Sequence, residues 1–259
     1  MATAQPRQGA PSTDLNRLTA NMADFSQINT LLFDLDGTLV DSVPDLASSI
    51  NVALQAIDHP QQSESQIRQW VGNGVDRLLD RAITGDPDGF ADPDLHHQAK
   101  QSFNRCYGEH FADQSQLYSG VLAGLSSLHS RGFKFGCVTN KPIQFTTPLL
   151  EKLGISEYFQ ITVGGDSTSA RKPDPVPLLH ALEQLSATPA QAVMIGDSIN
   201  DFEAGQRAGM ATIMVDWGYH QGVDLSALAA DGLISRFSQL TELLTTSAYP
   251  RPGTRFIPT

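Results

Sequence analysis

The chain has 259 residues, 40% hydrophobic and 17% charged, and its 17 basic side chains face 28 acidic ones for a formal net charge of −11. That much apolar sequence is enough for one large domain or two unequal ones with a buried core, which excludes disorder of the whole chain. No 18 apolar residues run together, so no membrane span is expected, and an acidic chain without a dense Lys/Arg tract makes nucleic acid a poor partner.

Residues 1–27, rich in Ala, Thr, Gln, Ser and Pro, read as a disordered arm in which Leu15, Leu18, Met22 and Phe25 fall near helical spacing. The first residues lack the apolar stretch of a secretory signal, and Asp14 and Asp24 balance Arg7 and Arg17, against a transit peptide. Cys106 and Cys137 lack the close spacing of a metal clip and fit unpaired thiols in a reducing compartment, so a cytoplasmic protein is expected. Met22 is an alternative start.

The first strand is expected at Leu31–Phe33. From 43 to 118 the pattern is helical, with Leu46, Ile50, Ala53, Leu54 and Ile57 on one face and Trp70, Leu78, Leu79 and Phe103 further on. Strands at 133–138, 161–163, 192–195 and 211–215 then alternate with helices near 121–131, 142–153, 175–186 and 199–208. This arithmetic predicts an α/β fold: a doubly wound parallel sheet, Rossmann-like, with an inserted helical cap domain. The core would take residues 28–42 and 119–248 and the cap 43–118, leaving 249–259, with three prolines and a glycine in the last ten positions, as a loose tail. Monomer and homodimer are both compatible with the sequence.

In such a fold the ligand site lies at the carboxyl ends of the strands. The first strand runs into Asp34-Leu35-Asp36-Gly37-Thr38, and alternation along an extended segment would aim Asp34 and Asp36 the same way. The strand at 192–195 runs into Gly196-Asp197-Ser198-Ile199-Asn200-Asp201, which would place Asp197 beside Asp34 with Asp201 one helical turn on. Four converging carboxylates repel unless a hard divalent cation joins them, and oxygen ligands point to Mg²⁺. Taken singly, Asp34-x-Asp36-Gly37 reads equally as a turn, and Asp197 or Asp201 as a helix cap. Two other strand ends have the opposite polarity: Thr139-Asn140 could cradle oxyanions, and Lys172, in Arg171-Lys172-Pro173-Asp174-Pro175, could hold a phosphate oxygen.

Together, these four motifs in this order closely resemble the haloacid-dehalogenase-like hydrolase superfamily over about residues 28–220. The resemblance implies Asp34 as the nucleophile, passing through an aspartyl-phosphate, and Asp36 as general acid/base. It further implies that Thr139, the Asn140 backbone and Lys172 bind the phosphoryl group. Asp34, the backbone carbonyl of Asp36 and Asp197 would ligate Mg²⁺, with Asp201 in support.

Within the insert, Gly72 and Gly74 permit close backbone approach, and a helix starting near Gly74 would present free amides to an anion, although the stretch reads equally as an interhelical turn. With Tyr118-Ser119-Gly120, this stretch is similar to the phosphoglycolate phosphatase branch of the superfamily. That similarity implies a small carboxylated phosphate ester as substrate, with Gly72, Asn73, Gly74 and Arg77 at its non-phosphate end and Arg68 or Arg81 as further partners for a carboxylate. A sugar phosphomutase, another small-metabolite phosphatase and a non-catalytic phosphate-sensing module are the rival readings. A dehalogenase is disfavoured by Asp36, and Schiff-base phosphonate cleavage by Lys100 being the only lysine in the insert.

Overall fold

Thr30, Leu31, Leu32 and Phe33 are all fully buried, as a strand covered on both faces requires, and they form the central strand of the computed structural model, which describes residues 25–245. In chain order, β1 (Thr30–Phe33) and the short β2 (Val40–Asp41) precede four helices: α1 (Val43–Gln55), α2 (Glu64–Trp70), α3 (Val75–Thr84) and α4 (Pro93–His110). β3 (Gln116–Leu117) then returns antiparallel beside β2, so the chain leaves and re-enters the core through one two-stranded ribbon. Beyond it come α5 (Val121–Ser130), β4 (Lys134–Val138), α6 (Ile143–Lys152), β5 (Ile161–Val163), α7 (Val176–Gln184), β6 (Ala192–Gly196), α8 (Ile199–Ala208), β7 (Ala211–Val215), β8 (Gly232–Ile234) and α9 (Phe237–Thr245).

The sheet has six strands in the order β5-β4-β1-β6-β7-β8, each pairing parallel to its neighbours. Phe33 lies level with Cys137 on one side and Ile195 on the other. The succession runs outward from β1 in both directions, and a crevice opens at the strand carboxyl ends where it reverses. Asp34, Thr139 and Asp197 follow the ends of β1, β4 and β6, so topology alone brings them to that crevice.

One face of the sheet buries Phe33, Phe135, Leu125, Leu128, Phe237 and Leu240, the other Leu32, Met194, Leu178, Leu182 and Ala204. The four helices of the insert enclose an apolar cluster of their own around Ile50, Leu54, Ile67, Trp70, Leu79 and Phe103. Each such side chain stabilises by about 1.5–3 kcal/mol when fully buried. Local signals fix the insert's ends. Asp92 accepts from the amides of Asp94 and Leu95 ahead of α4, with Pro93 in its first turn, and Gly85 closes α3 at a φ of 69°.

The expected strands and helices of the core are present, and two further elements extend them, β8 and α9. The expected arm is shorter than 1–27, because Phe25–Gln27 form a 3₁₀ turn whose Phe25 is buried in the core. The remainder of the arm, the spacing of Leu15, Leu18 and Met22, and the tail 249–259 lie outside the described residues. No helix among the described residues is long and apolar enough to cross a membrane.

Candidate active site

The Asp34 amide donates to the Ile195 carbonyl at 2.9 Å, extending the ladder one residue beyond β1 and delivering its side chain to the crevice. The chain then turns at Gly37, whose φ is 90° and where a Cβ would lie 2.2 Å from Asp197 Oδ2, so only glycine fits. Asp197 accepts from Thr38 Oγ1 at 2.9 Å and from the Tyr219 amide at 2.6 Å. Asp201 Oδ2 accepts from the Ser198 amide and hydroxyl at 3.0 and 2.6 Å, the capping box of α8. The helix-cap and cluster readings of Asp201 are therefore both true, one for each oxygen.

Carboxylate oxygens of Asp34, Asp197 and Asp201 lie within 4.8 Å of one another, all three residues buried. Lys172 Nζ sits 2.8 Å from Asp34 Oδ1 and 2.6 Å from Asp201 Oδ1. One ammonium against three acids leaves negative charge in the interior. Burial pushes the Asp34 carboxyl up to about 6, with Lys172 opposing the rise and Asp201 adding to it. Burial, then Asp201 and Asp34, raise Asp197 well above the usual carboxylate range. A buried, all-oxygen, under-neutralised donor set suits a hard divalent cation.

Asp36 stands apart from this trio, a correction to the expected four-carboxylate convergence. The Leu35 carbonyl accepts from the amides of Thr38, Leu39 and Val40 at 3.3, 3.0 and 3.0 Å, so the backbone curls immediately after Leu35 and the alternation of an extended strand no longer applies. The Asp36 carboxylate accepts from Ser42 Oγ at 2.6 Å and meets Lys141 Nζ at 3.2 Å from both oxygens. Lys141 is the functional residue that sequence reasoning passed over, although it directly follows Thr139-Asn140 at a strand end. Its ammonium also donates to Tyr107 Oη at 2.6 Å. Burial works against that charge but is outweighed by Asp36 and Tyr107, so the ammonium is held protonated.

Thr139 and Asn140 are buried at the end of β4. Thr139 Oγ1 accepts from the Lys141 amide at 3.2 Å and faces the cavity between core and insert. Asn140 Nδ2 donates to the carbonyls of Gly72 and Lys172, both at 2.9 Å, so its amide group ties the insert to the Lys172 loop. The Gly72 carbonyl also accepts from Asn200 Nδ2 at 3.2 Å, Asn73 Nδ2 reaches Asn200 Oδ1 at 3.4 Å, and Gln221 Nε2 donates to the Val71 carbonyl. Three amide side chains, from the loops after β4 and β7 and from the first turn of α8, thus grip one turn of the insert. Gly72 and Gly74 have φ of 128° and 83°, and both line the cavity.

The arginines of the insert do not reach it. Arg77 donates to the Gly89 carbonyl at 2.8 Å and to Asp80 at 3.2 Å and lies over the Phe90 ring at 4.2 Å. Two residues along a helix turn the side chain about 200°, so with Val75 and Leu78 facing the cavity, Arg77 must face the outer loop instead. Arg81 bonds the carbonyls of Trp70 and Pro87 at 2.7 and 2.8 Å, and Arg68 grips Asp41 at 2.9 and 3.3 Å. Burial pushes the Cys137 thiol up, which leaves it unreactive.

The arrangement therefore brings together a buried strand-end carboxylate, a separately supported second carboxylate, a hydroxyl and an ammonium, and a buried acidic trio compatible with a metal ion. A haloacid dehalogenase-like hydrolase family model matches residues 31–215. The chain is 42% identical over 224 residues to a phosphoglycolate phosphatase of Nitrosococcus oceani, covering 86% of this chain and all of that one. It is 43% identical to the phosphoglycolate phosphatase of Psychrobacter arcticus, with 85% and 96% covered. Among solved structures, a predicted phosphoglycolate phosphatase from Haemophilus somnus superposes with a TM-score of 0.78 at 33% identity, covering 84% of this chain and 98% of that one. A buried acidic trio at the switch point, the ordered strand-end motifs and these likenesses lead to one assignment: the chain belongs to the haloacid dehalogenase-like hydrolase family.

Proposed function

We propose that this protein is a Mg²⁺-dependent phosphatase that converts 2-phosphoglycolate to glycolate and phosphate. The observation that carries the reading is the Asp34 carboxylate, fixed at the end of the central strand with Lys172 on one oxygen and the acidic trio around it. Asp34, the backbone carbonyl of Asp36 and Asp197 would hold the cation, and Asp201 would hold Lys172 in place. When bound, Mg²⁺ supplies charge neutralisation to the phosphoryl oxygens and to the acids around them.

The protein's own groups divide the chemistry in two. An Asp34 oxygen attacks phosphorus, the ester bond breaks, and Asp36 gives its proton to the departing alkoxide. Asp36 then takes a proton from water, whose oxygen attacks phosphorus and releases Asp34 and phosphate. Ser42 and Lys141 hold the Asp36 carboxylate in one orientation throughout, and Thr139 and Lys172 receive the phosphoryl oxygens. The insert, as a cap, excludes water from the first step, with the Gly72–Gly74 turn over the ligand. The protein's free thiols, Cys106 in the insert and Cys137 in β4, suit the cytoplasm.

Phosphate release from a panel of phosphomonoesters, with and without Mg²⁺, tests the reading. The expected result is Mg²⁺-dependent turnover with 2-phosphoglycolate preferred. Faster turnover of a sugar phosphate, or its isomerisation without phosphate release, would overturn it.

A further inference from the structure

Between core and insert lies a cavity that opens onto the strand-end crevice. Its polar lining is made by Asp34, Asp36, Thr139, Asn140, Lys141 and Tyr107. Apolar side chains such as Leu46, Val75, Leu78, Phe103 and Phe145 supply most of the remaining wall. Such a wall cannot satisfy the hydroxyls of a sugar, so the ligand must be short and carry few polar groups beyond its phosphate.

Among the described residues, Lys141 is the one cationic side chain lining this cavity. Arg68, Arg77 and Arg81 are all engaged elsewhere, and Lys172, between Asp34 and Asp201, serves the phosphoryl oxygens. The Lys141 ammonium donates to the Tyr107 oxygen at 2.6 Å, which leaves the phenol hydrogen to donate onward. Tyr107 is itself locked in place, stacked on Phe103 at 5.1 Å and edge-on to Phe145 at 5.0 Å. At its start, α3 adds first-turn amides that lack intrahelical partners, beside the Gly74 and Val75 cavity wall.

We propose that Lys141 and Tyr107 form the subsite for the substrate's carboxylate and make the enzyme selective for phosphate esters borne on the carbon next to a carboxylate. This rests on the phosphatase reading above and sharpens it. The spacing is the reason. Asp36 must meet the ester oxygen, and Lys141 lies 3.2 Å from both Asp36 oxygens. A carboxylate held by Lys141 therefore lies close to an ester oxygen facing Asp36, as it does when a single carbon joins the two.

The test compares kcat/KM for 2-phosphoglycolate, ethyl phosphate and 3-phosphopropionate in the wild-type protein, Lys141→Met and Tyr107→Phe, each checked for folding by circular dichroism. Wild type should favour 2-phosphoglycolate over both other esters. Lys141→Met should cut the ratio of 2-phosphoglycolate to ethyl phosphate by about 100-fold and Tyr107→Phe by about tenfold. If Lys141→Met slows both esters equally, the lysine serves only to orient Asp36 and the subsite is refuted while the phosphatase reading stands. If wild type leaves 2-phosphoglycolate untouched but hydrolyses other esters, the proposed function fails first. Tyr107→Phe removes one oxygen and keeps the ring packing, so it decides the ratio by itself should the lysine variant not fold.

Discussion

The strand-end side of the crevice and the insert side divide the work in different currencies. At the strand ends, ionisable side chains are crowded, buried and short of positive charge: three acids share Lys172. On the insert, the arginines are satisfied within it or at the hinge, and apart from the Tyr107 hydroxyl what faces the crevice is backbone and hydrocarbon: the Gly72 carbonyl, the start of α3, Leu78 and Phe103. The contrast teaches that substitutions at the strand ends should act on rate and charge, and substitutions in the insert on closure and affinity.

The largest effect should come from Asp34→Asn, which keeps shape and removes the nucleophile. Phosphate release should fall by at least about 10³-fold, with the far-ultraviolet spectrum unchanged. Retained turnover would abolish the covalent route. Next comes the charge deficit. The Asp34 carboxyl has an ordinary value of 3.8 and is pushed up to about 6 in the fold, so the folded state holds a proton that the unfolded chain has released between those values. In metal-free protein this contribution is fully present below pH about 4 and is lost as pH rises through about 6, up to about 3 kcal/mol from Asp34, with Asp197 acting in the same direction. Urea unfolding across that window should show the decline, and saturating Mg²⁺ should reverse it above pH 6, by about 2.7 kcal/mol at 100 times its Kd. A flat profile without the ion would contradict the deficit.

On the insert side the effects should be smaller and of another kind. Gly72 has a φ of 128° and a Cβ there would lie 2.6 Å from Gln221 Nε2. Gly72→Ala should weaken closure by about 1–2 kcal/mol and raise KM up to about tenfold, with kcat within about threefold. A fall in kcat alone would place the turn in the chemistry. Smallest is Arg77→Ala, which removes the bonds to Gly89 and Asp80. It should lower stability by about 1 kcal/mol and leave KM within about twofold; a large rise in KM would restore Arg77 to the substrate.

The strand ends were legible because their signals are chemical and local. Asp34, Thr139 and Asp197 each directly follow a short apolar run, and parallel topology has only one place to put such positions; Lys172 comes nine residues after β5, in a loop marked by its own prolines. Asp36 was misjudged in direction because the curl after Leu35 depends on three amides converging on one carbonyl, which periodicity does not encode. Lys141 was hidden by adjacency: its partners Asp36 and Tyr107 lie 105 and 34 residues away in sequence. Arg77 looked suitable by residue type, yet its direction is a matter of helix phase, set by which of Val75 and Leu78 meet the core. β8 was missed because it has three residues, and only Ile234 of them is buried.

The bond from the Asp34 amide to the Ile195 carbonyl makes the reacting residue an extension of the innermost strand. Edge segments of a protein open many times for each global unfolding event, whereas central strands open only with the whole. Deuterium uptake at the Asp34 amide should therefore be among the slowest in the molecule and track global denaturation. On the proposed mechanism the attacking group should come loose only with the sheet itself, and thermal inactivation should coincide with global unfolding.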